Sequence, residues 1–346
     1  MKKKILNALN EKFAGIRYYQ AGILLLVGLI FIIVGSVKDL AISQAIVKQN
    51  NIFGTLGAII GPYPAYLLFG GTGVLFFINW QGEGQKDSKI LAFICALIFP
   101  VLAGALYGYE CLNDFITSSK YLAAFVGILA VGAGDVGLYF LCRHADKDKA
   151  YQAGVTFLFA SATVLVLMYL LKKAGLRPRY YWMLTQTDPA SYFRNWWDFD
   201  ASVKEGFASN VAYQDTYFES WPSAHAALAG LTVLSVLLCN LNPKLEKKEN
   251  FFVYGSLIWT IIVSAARVSD GHHFVSDVAF GAFFGTLFSL LVAYLVYLPA
   301  PQEEESEGTP VSGHRSKKSL SLAGQAFVAQ KPHRRSTSHK PCKKVI

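Results

Sequence analysis

The chain has 346 residues, of which 53% are hydrophobic and only 16% are charged. Soluble globular domains carry about 25% charged residues, so this composition indicates an integral membrane protein. The net charge of +9 comes from the segment Val311–Ile346, which holds nine Lys and Arg and no Asp or Glu. The other 23 basic residues balance the 23 acidic ones, which argues against a nucleic-acid partner.

Eight apolar segments are long enough to cross a bilayer, for which a helix needs roughly 18 or more apolar residues. They cover about residues 21–37, 53–79, 90–109, 121–141, 152–171, 222–240, 251–268 and 276–298. The first lacks a signal-peptide cleavage site and is predicted to be a retained helix. Gly61-Pro-Tyr-Pro64 predicts a break in the second. The predicted fold class is therefore all-α, a polytopic bundle of about eight transmembrane helices.

The loop charges predict an orientation, because Lys and Arg of short loops stay in the cytoplasm. If the N-terminus is inside, the basic residues of the short loops lie almost entirely inside. Only Lys38, Lys48 and Lys120 then fall in the short outside loops. Both termini are predicted to be cytoplasmic.

Composition divides the chain into three predicted parts. Residues 1–150 form about four spanning helices, and residues 151–298 form the other four, with an extracytoplasmic loop at 180–221. The aromatic residues of that loop are interpreted as an interfacial belt, with a cap over a site as the alternative. Residues 299–346 have too little apolar content to fold alone and are predicted to be a disordered cytoplasmic tail. A second interpretation is that the basic tail contacts anionic lipids.

Cysteines and one acidic residue bear on other kinds of site. The five cysteines are scattered without a C-x-x-C pair, so neither a metal site nor a disulfide framework is predicted. Asp135 lies inside the fourth apolar segment. An acidic residue at this depth indicates a relay or a pair with a neighbouring helix, and both interpretations stay open.

Three groups of charged and polar residues fall on the predicted outer side. The first motif is Lys172–Arg179, the second is Pro222–His225, and the third is Arg267–Asp277. The three histidines that lie in neither the tail nor an inside loop all belong to them: His225, His272 and His273. Because charged residues next to membrane helices are costly, their convergence predicts a functional site.

The residue types of this site suit a phosphoryl group. Lys172, Arg179 and Arg267 supply cationic donors, with Arg able to make bidentate contacts. Ser223 adds a hydroxyl donor, and the helix N-terminus that begins near Pro222 can bind an anion. The set requires no metal and no cofactor.

Two histidines supply candidate catalytic groups. His273 and Asp277 are four residues apart and share a face if the eighth helix begins there. A carboxylate bonded to one ring nitrogen would leave the other nitrogen free to attack. His225, on another helix, can protonate a leaving alkoxide. His272 is the competing nucleophile, but it lacks the four-residue spacing to Asp277.

These motifs resemble the type 2 phosphatidic acid phosphatase family, whose signatures are K-x6-R-P, P-S-G-H and S-R-x5-H-x3-D. Lys172 to Arg179 gives K-x6-R, Pro222–His225 gives P-S-A-H, and Arg267 to Asp277 gives R-x5-H-x3-D. The resemblance covers roughly residues 150–300 and implies a six-helix-type phosphatase core. It implies that His273 is the nucleophile that forms a phosphohistidine, that Asp277 orients it, and that His225 is the general acid. It also implies that the phosphate is bound by Lys172, Arg179, Ser223 and Arg267.

The chain departs from these signatures at three positions. Tyr180 replaces the Pro after Arg179, Ala224 replaces the Gly of the second motif, and Ala266 replaces the Ser before Arg267. None of the three removes a charged or nucleophilic group, so activity is expected. Arg177 is interpreted as an interfacial side chain that neighbours the site.

The resemblance implies a metal-independent, vanadate-sensitive phosphatase of lipid metabolism. Its substrate would be a lipid phosphate monoester or diphosphate, either phosphatidate-like or polyprenyl, at the extracytoplasmic or lumenal face of a membrane. The alternatives are a phosphotransferase with the same intermediate, an enzyme for a soluble sugar phosphate, and a non-catalytic lipid-binding or transport protein. Which lipid is used and the oligomeric state stay open.

Overall fold

The computed structural model describes residues 9–48, 50–80, 86–113, 115–116, 119–207 and 215–298. The predicted tail of residues 299–346 lies outside this set. A small hairpin, β1 (Lys12–Phe13) and β2 (Ile16–Arg17), precedes the helices. They are α1 Tyr18–Ile46, α2 Ile52–Ile60, α3 Tyr63–Trp80, α4 Lys86–Tyr107, α5 Lys120–Cys142, α6 Lys147–Gly175, α7 Tyr180–Met183, α8 Ser202–Phe207, α9 Ala224–Leu231, α10 Leu238–Leu241, α11 Glu249–Ser269 and α12 Val275–Tyr297.

The predicted membrane bundle is confirmed. Within the described ranges, eight helical segments are long and apolar enough to cross a membrane. They are Tyr18–Ile46, Ile52–Trp80, Lys89–Leu112, Lys120–Cys142, Lys147–Met183, Ala224–Leu241, Glu246–Ser269 and Val275–Tyr297. The chain is an all-α, multi-pass integral membrane protein.

The second span is broken where the sequence predicts it. α2 ends at Ile60 and α3 begins at Tyr63. The indole Nε1 of Trp259 donates a hydrogen bond of 3.0 Å to the carbonyl of Gly61. This bond satisfies a backbone group at the break, which matters because hydrocarbon offers no water to do so.

α1 continues to Ile46, past the predicted end of the first span at residue 37. Lys38 and Asp39 end the apolar pattern of the sequence. However, Asp39 is only 4% exposed, and it pairs with Arg177 at 2.9 Å. A charge that is paired within the bundle does not end the packed face of a helix.

Close helix packing brings the second and third motifs together. A side chain on Gly281 of α12 would collide with the carbonyl of Ser223, and one on Gly285 would collide with the carbonyl of Ala227. α12 therefore lies directly against the first turns of α9, and only glycine permits this approach.

Asp135 is buried in α5, and its carboxylate lies against Gly70 of α3. Neither of its carboxylate oxygens has a hydrogen-bond partner among the residues that the structure describes. The predicted bond to a neighbouring helix is therefore not formed within that part of the chain.

Candidate active site

The three motifs meet at one end of the bundle through backbone hydrogen bonds. The amide of Tyr181, just after the first motif, donates to the carbonyl of Gly271 in the third motif at 2.9 Å. The amide of Ser223 in the second motif donates to the carbonyl of Asp277 at 3.0 Å. Gly271 has φ +75°, a conformation that favours glycine. These contacts place the motifs within one site.

The tautomer of His273 is fixed by a backbone carbonyl. The side chain is buried, and Nδ1 lies 2.6 Å from the carbonyl oxygen of Ser220. Because a carbonyl oxygen can only accept, Nδ1 carries the proton and Nε2 keeps its lone pair. Burial and the charges of Lys172, Arg179 and Arg267 hold the pKa of His273 well below its usual range. This shift favours the neutral imidazole, with Nε2 as its basic nitrogen.

Asp277 does not contact His273 directly, so the predicted carboxylate–imidazole pair is wrong. Asp277 Oδ2 accepts hydrogen bonds from Ser220 Oγ at 2.6 Å and from the amide of Phe274 at 2.8 Å. The spacing argument fails because α12 begins only at Val275, so His273 precedes the helix. Asp277 instead holds Ser220, whose carbonyl orients the imidazole.

Arg177 is a buried bridge, which corrects its interpretation as an interfacial side chain. Its side chain is fully buried. One terminal nitrogen donates to Asp277 Oδ1 at 2.5 Å and to Ser276 Oγ at 2.8 Å, and the other donates to Asp39 Oδ2 at 2.9 Å. Its Nε donates to the carbonyl of Arg194 at 2.8 Å. These hydrogen bonds engage Nε and both terminal nitrogens, so Arg177 holds neighbouring residues of the site in place.

Three further basic residues, Lys172, Arg179 and Arg267, lie near His273. Lys172 Nζ donates to the carbonyl of Glu219 at 2.9 Å, which fixes its position. Arg267 Nη1 donates to Asp270 Oδ2 at 2.6 Å. The buried Nε of Arg179 has no hydrogen-bond partner within the described ranges. The arrangement therefore concentrates positive charge around His273.

His272 is held differently from His273. Its Nδ1 lies 3.0 Å from Asp270 Oδ1, but the angle between the two groups does not suit a hydrogen bond. The backbone amide of His272 donates to the same oxygen at 3.0 Å. Its ring packs on Tyr181 with centroids 4.6 Å apart. Burial raises the pKa of Asp270, but its contacts with His272 and Arg267 lower that pKa by more, so the net shift is downward. Asp270 thus stays ionised and holds Arg267 and His272.

The second motif begins a helix with Ser223 as its N-cap. Ser223 Oγ accepts from the amide of Ala226 at 3.4 Å, so its hydroxyl proton can still be donated. The sequence predicts a helix that begins near Pro222, and the structure begins it at Ala224, so Pro222 precedes the first turn. His225 lies in that first turn and is half-buried.

A cavity of about 360 Å³ opens onto part of the site, whereas Lys172, Arg179, Ser223 and His273 are not among its lining residues. Residues of the site on its wall are Tyr181, His225, Arg267, Asp270 and His272. Residues of the N-terminal helices and their loops complete the wall, among them Asn51, Thr55 and Glu110. Sequence reasoning assigned these helices no part in the site.

Residues 152–299 match the family model of the PAP2 superfamily. This segment is a PAP2 domain. It contains all three motifs, and the match supports a phosphatase-type function in general. Comparisons with curated proteins and with solved structures give no match.

The departures from the family signatures have local explanations. Ala224 does not have a positive φ, so the position needs no glycine. Ala266 is fully buried, and its Cβ occupies the space that a side chain on Gly57 of α2 would need. This small residue lets the PAP2 segment pack closely on α2. Tyr180 is buried at the start of α7.

The aromatic loop of the PAP2 segment packs onto the turn that carries His273, in line with the alternative interpretation of a cap. Trp182 and Phe218 are buried, with ring centroids 4.8 Å apart. Phe193 packs against Phe274, the residue after His273, at 5.3 Å. An interfacial position fits only exposed members of the loop, such as Trp197.

Proposed function

We propose that this PAP2 protein hydrolyses a lipid phosphate monoester or diphosphate through a phosphohistidine on His273, with no metal needed. The observation that carries the proposal is the position of His273: the carbonyl of Ser220 lies 2.6 Å from Nδ1 and leaves Nε2 free, and the charges of Lys172, Arg179 and Arg267 lie nearby. Such fixed cations stabilise the charge that develops on a transferring phosphoryl group.

In the first step, Nε2 of His273 attacks phosphorus and forms a P–N bond. The bond from phosphorus to the substrate oxygen breaks, and its electron pair stays on that oxygen. His225, which lies in the first turn of α9, acts in its protonated form and donates a proton to the leaving oxygen. General-acid help of this kind is worth about 10² to 10⁴-fold.

In the second step, water attacks the phosphohistidine. His225, now neutral, takes a proton from the water as the new P–O bond forms. The P–N bond breaks, and its electron pair returns to Nε2 of His273. Inorganic phosphate leaves, and His225 is protonated again for the next turnover.

A lipid substrate is supported by a second cavity, of about 220 Å³, that is almost entirely apolar. It lies between α1, α9, α11 and α12. Its lining includes Val268, next to Arg267, and Val275, two residues after His273. A hydrocarbon chain in this cavity would end beside the phosphate-binding residues.

Filling the apolar cavity is expected to discriminate between substrates. Ala265→Leu should lower kcat/KM for a long-chain lipid phosphate about tenfold, because displacing two buried methylenes loses about 0.8 kcal/mol each. Hydrolysis of a short, water-soluble phosphate ester should change little. Ala133→Leu, at an exposed position of α5 that lines neither cavity, is the matched control. Equal losses for both substrates would contradict a chain-binding role.

Phosphate release in the presence of a chelator tests the function itself. Purified protein in detergent, given a panel of phosphorylated lipids and isoprenoid diphosphates with excess EDTA, should release phosphate from at least one of them. Vanadate, which mimics pentacoordinate phosphorus, should inhibit this activity. Loss of activity in EDTA that a divalent metal restores would contradict the mechanism. Phosphoryl transfer to an added alcohol without free phosphate would support the phosphotransferase alternative.

In this proposal the site faces the extracytoplasmic or lumenal side. In the predicted topology, most basic residues of the short loops lie on the side of the membrane opposite the site. Such residues stay in the cytoplasm. Both termini are cytoplasmic in the same arrangement.

A further inference from the structure

We propose that Asp39 is a positioning residue of the phosphoryl-transfer site, an inference that rests on the proposed function. Asp39 belongs to α1, which precedes the PAP2 segment. It is a charged side chain in a membrane-spanning helix, and it is buried. Charged residues at such positions are costly, and they are retained where they serve a site.

The carboxylate of Asp39 joins the first motif to the start of α12. Oδ2 accepts a hydrogen bond from Arg177 at 2.9 Å. Oδ1 accepts from the backbone amide of Ser276 at 2.9 Å, and the hydroxyl of Ser276 also donates to Oδ2. One turn earlier, a side chain on Gly35 would collide with the backbone of Ser276. α1 thus packs closely against the start of α12, just after His273.

From Asp39, a continuous set of buried bonds leads to the nucleophile. Arg177 donates to Asp277 at 2.5 Å, and Ser220 Oγ donates to the other oxygen of Asp277 at 2.6 Å. The carbonyl of Ser220 then accepts from Nδ1 of His273 at 2.6 Å. Each of these side chains is at most 4% exposed, so water is poorly placed to replace a lost partner.

The charges explain why Asp39 affects the position of His273. Arg177 lies between two carboxylates, and removing one charge of a buried pair leaves the rest uncompensated. Without Asp39, the guanidinium is expected to turn fully towards Asp277 and compete with Ser220 for its oxygens. The Ser220 carbonyl would then lose its fixed position, and with it the orientation of the imidazole.

Asp39→Asn tests the inference, because it keeps the size of the side chain and removes its charge. We expect kcat to fall about 10- to 100-fold, the range typical of partners that orient a functional group. KM should stay nearly unchanged, because Lys172, Arg179 and Arg267 make no bond to Asp39. Ser43→Ala, one turn further along the buried face of α1, is the control and should have wild-type kinetics.

A double-mutant cycle separates positioning from general damage. If Asp39 acts through Ser220, then Asp39→Asn combined with Ser220→Ala should lose little more than the worse single variant. Additive losses, an unchanged kcat or a change in KM alone would overturn the inference. If Asp39→Asn does not fold, Ser276→Ala replaces it in the same cycle, because it removes a donor to Asp39 and keeps both charges.

The proposed function is tested separately by the wild-type protein and His273→Ala. If the wild-type protein releases phosphate and His273→Ala does not, the function stands, and the cycle decides on Asp39 alone. If the wild-type protein releases no phosphate from any substrate of the panel, both proposals are overturned.

Discussion

His273→Ala is expected to lose phosphatase activity by on the order of 10⁴-fold or more, because it removes the nucleophile of a two-step reaction. The neutral Nε2 of His273 is the basic nitrogen that the site positions among its cations. Phosphate release from the best lipid substrate measures the loss. Trapping the enzyme with radiolabelled substrate should give a phosphoenzyme in the wild-type protein and none in the variant.

His272→Ala is the matched comparison, because it removes the adjacent imidazole. His272 lies against Asp270 and packs on Tyr181, so we expect a loss of no more than about tenfold through the position of Arg267. If His272→Ala abolished the phosphoenzyme and His273→Ala retained it, the assignment of the nucleophile would be reversed.

His225→Ala is expected to lower the hydrolysis of lipid phosphate esters by about 10² to 10⁴-fold, because an alkoxide is a poor leaving group without a proton donor. An aryl phosphate leaves as a stable anion and needs little help from an acid. With that substrate, the first step should persist in the variant while the second step, which lacks its base, stays slow. Phosphohistidine should therefore accumulate, with a burst of aryl alcohol in stopped-flow absorbance.

The control for His225→Ala is His144→Ala, in the turn after α5, which touches no residue of the site and should behave as wild type. Equal losses with the aryl and alkyl esters, with no burst, would show that His225 does not act as the general acid.

The membrane bundle could be predicted because the helices are specified by local sequence. Apolar length gives each span, and Gly61-Pro-Tyr-Pro64 gives the break between α2 and α3. The convergence of the three motifs could also be predicted, because the parity of the spans places their loops on one side of the membrane.

The connections behind the site could not be predicted, because they depend on contacts that sequence spacing does not reveal. Asp39 and Arg177 are 138 residues apart, and Arg177 and Asp277 are 100 residues apart. The bond from His273 to Ser220 uses a backbone carbonyl, which any residue type would supply. For Asp39 a usable signal existed, because it is an acidic residue that interrupts an otherwise apolar helix.

The position of the first turn of α12 explains why the predicted pairing of His273 with Asp277 is wrong. A spacing of four residues indicates a shared face only when both residues are helical. Phe274 is the N-cap of α12 and Asp277 is in its first turn, where its carboxylate binds the amide of Phe274. Asp277 therefore serves helix capping through its three-residue spacing to Phe274, and His273 lies just outside the helix.

The Ser220 carbonyl also determines which phosphohistidine regioisomer the proposed mechanism passes through. The bond from Nδ1 to the Ser220 carbonyl leaves only Nε2 to carry phosphorus in that mechanism. The ring therefore has no need to exchange tautomers between the two steps. Attack and release take place at one nitrogen, with the imidazole held in a single orientation from the arrival of the ester to the departure of phosphate.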